Sequence, residues 1–160
     1  MLSPYRVLDL TDERGQLAGA TLADLGAEVI LVEPPDGSRS RRLPPFVVGR
    51  EDDPEASLWF WSYNRGKRSI SMDLEHPADR ERFLELVAGA DIVLESDRPG
   101  AMAERGLGYD DLAAVNPEIV VTSISPFGQS GPKADWAATD LTVAAAAMVH
   151  KKLGGVSAAQ

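Results

Sequence analysis

The 160-residue sequence contains no cysteine, which excludes disulfides, thiol nucleophiles and thiolate metal sites. Its two histidines, His76 and His150, are too far apart in sequence to form a ligand pair, so no metal site is expected. Positive charge is scarce: 16 Lys and Arg stand against 25 Asp and Glu, for a net charge of −9. That balance disfavours nucleic acid and anionic membrane surfaces, and an anionic ligand must be held by local groups. Neither a basic leader nor a long apolar run follows Met1, so no signal peptide or spanning helix is expected and cytoplasm is the default location. G-x-G-x-x-G and the phosphate loop ending in Gly-Lys-Ser/Thr are also missing, which removes support for an ordinary dinucleotide or P-loop site. Gly128-Gln129-Ser130-Gly131 is one residue short of a hydrolase elbow, and Ser130 reads as a loop residue.

The stretch Tyr5–Pro35 organises what is there. Val7-Leu8-Asp9-Leu10 reads as a strand, a polar turn follows at Thr11-Asp12-Glu13, and Leu17, Ala18, Leu22 and Leu25 recur at helical spacing. Gly26 sits where a helix-terminating residue belongs, and Glu28–Glu33 is a second strand stopped by Pro34-Pro35. A β-α-β unit implies parallel strands, with ligands beyond their carboxyl ends. Gly15 and Gly19 share a helix face, either for packing on the sheet or for close approach of a ligand.

Residues 36–54 read as a long polar loop whose cluster Arg39, Arg41 and Arg42 is either solvated or a phosphate site. Trp59-Phe60-Trp61 lies in a segment too short to assign as a helix, and suits a buried core or an interface between chains. A half-buried strand follows from Ser69 to Leu74, then a helix opened by Pro77 with Phe83, Leu84 and Val87 as its buried stripe. Asp91–Glu95 is the next strand, and short helical stretches follow at Ala101–Arg105 and Asp110–Val115. Ile119–Ile124, the most continuous β-branched run, predicts a central strand buried on both faces. A last helix is expected over Thr139–Leu153, with Thr139 as N-cap. Asp12, Glu13, Asp73 and Asp140 are acid/base candidates by position alone.

Read in order, VLDLT…LADLGAEVILVEPP, Asn64–Ser69 running into Met72-Asp73-Leu74, Glu95–Gly100 with Gly106–Tyr109, and NPEIVVTSISPFGQSGP resemble the amino-terminal part of the family III CoA-transferases. That group includes formyl-CoA transferase, carnitine CoA-transferase and α-methylacyl-CoA racemase. The resemblance implies an α/β fold with a Rossmann-like parallel sheet and flanking helices. Residues 1–160 would form an incomplete CoA-binding domain of a longer, homodimeric fold. No permanently bound cofactor is implied; coenzyme A is a substrate, with an acyl-CoA and a carboxylic acid as reaction partners.

Residue by residue, the resemblance places Glu13 and Arg14 along the CoA, and Met72, Asp73 and Glu75 near its adenosine end. Ser96, Asp97 and Arg98 stand where the family more often has Asn-Phe-Arg, so Arg98 is the close match of the three. Arg105 falls near a phosphate-binding base, and Ala137, Ala138, Thr139 and Asp140 lie beside the pantetheine arm. Family transferases form an acyl anhydride and then an aspartyl-CoA thioester on an aspartate. The resemblance puts that residue well after Asp140, so no catalytic residue is assigned in this chain and the isolated chain is expected to be inactive. Racemases of the group use a histidine where this chain has Thr139, which disfavours that activity. A non-catalytic CoA-binding or interaction module is the other alternative.

Overall fold

A computed structural model describes residues 1–146. Five strands, β1 Arg6–Leu10, β2 Glu28–Glu33, β3 Arg68–Ser71, β4 Ile92–Glu95 and β5 Val120–Ser123, form one sheet in the order β3-β2-β1-β4-β5, with every pair parallel. Among the described residues six α-helices accompany them, α1 Gln16–Asp24, α2 Leu58–Asn64, α3 Pro77–Val87, α4 Ala101–Glu104, α5 Tyr109–Val115 and α6 Asp140–Ala146, with a short 3-10 helix at Arg39–Arg42. The expected α/β fold is the one observed. The part of the last helix expected beyond Ala146 lies outside the described residues.

Alternation along the strands sorts side chains onto two faces. From β1, Leu8 joins Val32, Phe83, Val87, Val93, Leu107, Leu112 and Ile119 in a core beneath α3 and α5. Val7 points the other way, with Val29 and Leu94, against Ala18, Leu22 and Ala23 of α1. Leu25 and Gly26 close α1 as expected; Gly26 takes φ 97°, a left-handed conformation that favours glycine.

Asp9 shares its face of β1 with Val7, so a carboxylate is set where an apolar residue is usual. Its side chain is 0% exposed and that of Lys67, its partner from the turn before β3, is 1% exposed. Lys67 Nζ donates to Asp9 Oδ2 at 2.8 Å, to the Gln16 carbonyl at 2.9 Å and to Asn64 Oδ1 at 2.9 Å. Asp9 Oδ1 accepts from the Thr11 amide at 2.9 Å and the Thr11 hydroxyl at 2.6 Å. All three ammonium protons and both carboxylate oxygens are thus matched, the condition under which a buried ion pair is tolerated. Burial still pulls the Lys67 pKa below the ordinary lysine value, against the opposing pull of Asp9.

Gly19 makes room for this pair: a Cβ there would lie 2.0 Å from Asp9 Oδ2 and 3.0 Å from Lys67 Nζ. A Cβ on Gly15 would lie 2.7 Å from Thr11 Cβ. Both glycines therefore serve packing.

Three expectations need correction. The aromatic segment is a helix, α2, started by Ser57 Oγ accepting from the Phe60 amide at 3.1 Å. It divides between the two readings: Phe60 is buried, whereas Trp61 is 47% exposed and donates through Nε1 to the Glu55 carbonyl. The arginine cluster divides as well. Arg41 lies over the Phe60 ring, 3.9 Å from its centroid, and pairs with Glu33 and Glu55, so it is structural, while Arg39 is exposed. Finally, β5 is the edge of the described sheet, not a central strand; it pairs with β4 alone, and Val120 is 55% exposed. Its β-branched composition records strand propensity without reporting two-sided burial.

Gly19→Ala should destabilise the chain, although Ala is about 1 kcal/mol better than Gly in a helix. Asp9 is pinned by Thr11 and Lys67 and cannot turn aside from the added methyl. Lys67→Met leaves the carboxylate buried and unpaired, at a cost of about 3–5 kcal/mol. Urea unfolding of both variants checks these signs; a Gly19→Ala midpoint at or above the parent contradicts the packing role.

Candidate functional site

In the order β3-β2-β1-β4-β5 the chain leaves β1 toward one edge and returns through β4 toward the other. The loops after β1 and β4 therefore diverge, and a crevice opens between them at the carboxyl ends. Ser96 ties the two lips together. Its hydroxyl, on a residue 2% exposed, accepts from the Asp12 amide at 2.8 Å and donates to Asp12 Oδ1 at 3.0 Å. Arg14 completes the joint by donating through Nη2 to Asp12 Oδ2 and to the Ser96 carbonyl, each at 2.6 Å.

The crevice is a cleft of about 800 Å³. Arg14, Asp97 and Arg98 form its polar side, and Ile124, Ser125 and Pro126 continue it from the end of β5. The opposite wall is the loop and helix start from Ala134 to Ala144, which brings Trp136, Ala137, Ala138, Thr139 and Asp140 to the same space. Thr139 acts as the expected cap of α6, its Oγ1 accepting from the Thr142 amide at 3.3 Å. Trp136 is 59% exposed and rests edge-on against Phe127, ring centroids 6.3 Å apart.

Of the residues singled out in the sequence, Arg14, Asp97, Arg98, Ala137, Ala138, Thr139 and Asp140 thus meet at one cleft. Ser96 stands behind it as the brace just described. Arg105 forms an outer link, paired with Asp97 and, at 2.6 Å, with Glu75. Met72 packs against the core beside β3, and Asp73 Oδ1 accepts from the Glu75 amide at 3.0 Å; neither lines the cleft. Glu13 lies outside it too, its Oε1 3.5 Å from Arg39 and its Oε2 buried without a partner.

Sequence reasoning missed Ser125 and Trp136. Ser125 follows the last residues of β5, so the rule that ligands gather at carboxyl ends of parallel strands would have found it. Trp136 could have been flagged as a lone large aromatic in a Gly/Pro-rich polar loop. Among the described residues, no group of three or more His, Asp or Glu is placed to hold a metal ion, and no helix is long and apolar enough to cross a membrane.

The family model for CoA-transferase family III matches residues 2–157. The chain belongs to this family. A succinyl-CoA:(R)-benzylsuccinate CoA-transferase subunit, BbsE, of Thauera aromatica is 44% identical over 143 residues, which are 89% of this chain and 35% of that protein. The succinate–glutarate CoA-transferase of Agrobacterium fabrum is 41% identical over 145 residues, 89% of this chain and 36% of its own. The crystal structure of a CaiB/BaiF family protein from Brucella suis superposes with a TM-score of 0.82 at 38% identity, over 91% of this chain and 38% of that one. The chain therefore spans little more than a third of the length of these family members.

Within the brace, burial raises the pKa of Asp12, but bonds from the Arg14 side chain, the Arg14 backbone amide and the Ser96 hydroxyl outweigh that and hold it below the usual aspartate value. A depressed folded-state pKa contributes stability that is present above the unfolded value, near 3.9, and is lost as pH falls through the folded one. Carbon-detected NMR titration should therefore find Asp12 still ionised at pH 3.9, with the Arg14→Gln variant moving its midpoint upward. An Asp12 midpoint at or above the ordinary value contradicts the brace.

Proposed function

We propose that this chain is the CoA-binding amino-terminal part of a CoA-transferase that moves CoA between an acyl-CoA and a carboxylic acid. The observation that carries the reading is the cleft at the divergence of β1 and β4 in a chain belonging to CoA-transferase family III. The named relatives, a succinyl-CoA:(R)-benzylsuccinate CoA-transferase subunit and a succinate–glutarate CoA-transferase, support transfer over racemisation or a purely binding role. Thr139, in place of a histidine base, supports the same choice.

In this proposal Ala137, Ala138, Thr139 and Asp140 flank the pantetheine arm, while Arg98 and Arg105 meet the phosphates. Met72, Asp73 and Glu75 lie toward the adenosine end, beyond the Arg105 link. Glu13, Arg14, Ser96 and Asp97 frame the β1–β4 side. The carboxylates now paired with the two arginines, Glu104 for Arg98 and Glu75 with Asp97 for Arg105, are solvent-accessible partners. Water screens the Arg98–Glu104 pair and reaches both carboxylates on Arg105, so a phosphate can displace these partners. This is how an acidic chain holds an anion locally. Chemistry proceeds by attack of an aspartate carboxylate on the acyl-CoA, giving a mixed anhydride and CoA thiolate; the thiolate then attacks the aspartyl carbonyl, forming the aspartyl-CoA thioester and releasing the donor acid as its carboxylate, and the acceptor acid takes up CoA by the same two steps in reverse. That aspartate is not among the 160 residues. Two copies of the full-length fold form a homodimer.

Calorimetric titration with CoA tests the assignment. Binding should be measurable below millimolar CoA, and Arg105→Gln should weaken it about three- to tenfold, as loss of one charge-assisted phosphate contact. The isolated 160-residue chain should show no transferase turnover. Silence up to millimolar CoA, or robust turnover by the pure chain, contradicts the proposal.

A further inference from the structure

Consecutive side chains at the end of β4 reach opposite neighbours. Ser96 turns to Asp12 in the loop after β1, and Glu95 turns to Gln129 in the loop after β5. Glu95 is 4% exposed, and among the described residues both hydrogen bonds to its carboxylate come from loops that wall the cleft. Oε2 accepts from the Asp97 amide at 2.7 Å, the length of a charge-assisted bond, and Oε1 accepts from Gln129 Nε2 at 3.4 Å. Asp97 passes the constraint on, since its own carboxylate pairs with Arg105. A second cavity, of about 200 Å³, is lined by Glu95, Arg98, Gly100, Met102, Leu107 and Gln129. Arg98 and Gln129 therefore border open space on this side, where packing does not fix them. The Glu95 carboxylate, on the wall of the same cavity, supplies the hold that packing does not.

A carboxylate taken this far out of water is costly unless its oxygens are used, and here they are used to order the cleft loops. Arginines bind an anion best when their loop is fixed beforehand, because every side chain ordered on binding costs affinity. We propose that Glu95 is a positioning residue for the CoA phosphates: it sets the turn after β4 so that Arg98 faces the cleft and Asp97 holds Arg105, and it ties the loop after β5 to that turn. Glu95 itself touches no ligand. This rests on the CoA-transferase reading and adds to it the group that sets the arginines of the site.

Calorimetric titration of the full chain with CoA tests it. Glu95→Ala should weaken binding about tenfold, the worth of one charge-assisted hydrogen bond, and Glu95→Gln should restore it to within about threefold because an amide oxygen can still accept from Asp97. Arg105→Gln placed on Glu95→Ala should cost less than about twofold more, since an arginine already displaced has little left to lose. A merely structural role for Glu95 makes the two losses multiply. Gln129→Ala, at an exposed position, should weaken binding about twofold, and it carries the test if circular dichroism shows Glu95→Ala unfolded. Unchanged CoA affinity in a folded Glu95→Ala overturns the proposal, as do multiplied losses in the double variant; with Glu95→Ala unfolded, unchanged affinity in Gln129→Ala overturns it. Failure of the parent chain to bind CoA overturns the underlying CoA-site reading and this inference with it.

Discussion

The buried pair between Asp9 and Lys67 is the constraint on which the rest of this structure depends. It sits on the central strand, and each of its unmet needs is answered by a different part of the chain. Gly19 gives α1 a surface that can lie over a carboxylate. Gln16 offers its carbonyl to Lys67, while its side-chain amide donates to the Thr11 carbonyl at 3.2 Å and to Ser38 Oγ at 3.1 Å. Asn64, the last residue of α2, accepts from Lys67 and donates to Gln16. Removing two charges from water is costly, and the net contribution of such a pair is small when complete. Its effect is on specificity: one partner missing leaves a naked charge, so α1, α2 and the β1 turn are compelled into one arrangement. Because Thr11 shares the Asp9 carboxylate, that rigidity passes directly into the loop that forms one lip of the cleft.

Charge is used sparingly around this frame. Arg41 goes to Glu33, which also accepts from the Ser38 amide and the Ser69 hydroxyl, and the group serves to dock the loop after β2. Arg14 braces Asp12 to Ser96, and Arg105 joins the Glu75 and Asp97 segments. An acidic protein with a proposed anionic substrate thus keeps its arginines oriented by carboxylates near the strand ends, and accessible where the cleft lies.

Much of the fold was legible because it is written in local patterns. The β-α-β unit, the Pro77 helix start and the Gly26 terminator follow from periodicity and backbone chemistry over a few residues. The environment of β5 was not legible, since Ile119–Ile124 has the same composition whether its outer edge is covered or bare. Gly19 was visible as an oddity, but its reason is the Asp9 carboxylate beneath it and the Lys67 ammonium beside that carboxylate, 48 positions away in sequence and brought in by tertiary folding. The candidate site divides in the same way. Arg98, Thr139 and Asp140 could be named from family resemblance, whereas Ser125 and Trp136 join them only once β5 and the following loop are laid beside β4. The separation of Met72 and Asp73 from the cleft is likewise a property of the three-dimensional arrangement, bridged by Arg105.

The central claim is that the divergence of β1 and β4, made rigid by the buried pair and the Ser96 brace, is where CoA lies. Amide chemical-shift mapping of the labelled chain during CoA addition tests it most directly. The account predicts saturable shifts confined to residues 12–15, 96–105, 124–126 and 134–144, with weaker effects at residues 72–75. Shifts concentrated instead at the amino-terminal ends of the strands, around Arg6, Glu28 and Asp91, or spread evenly without saturation, would contradict it.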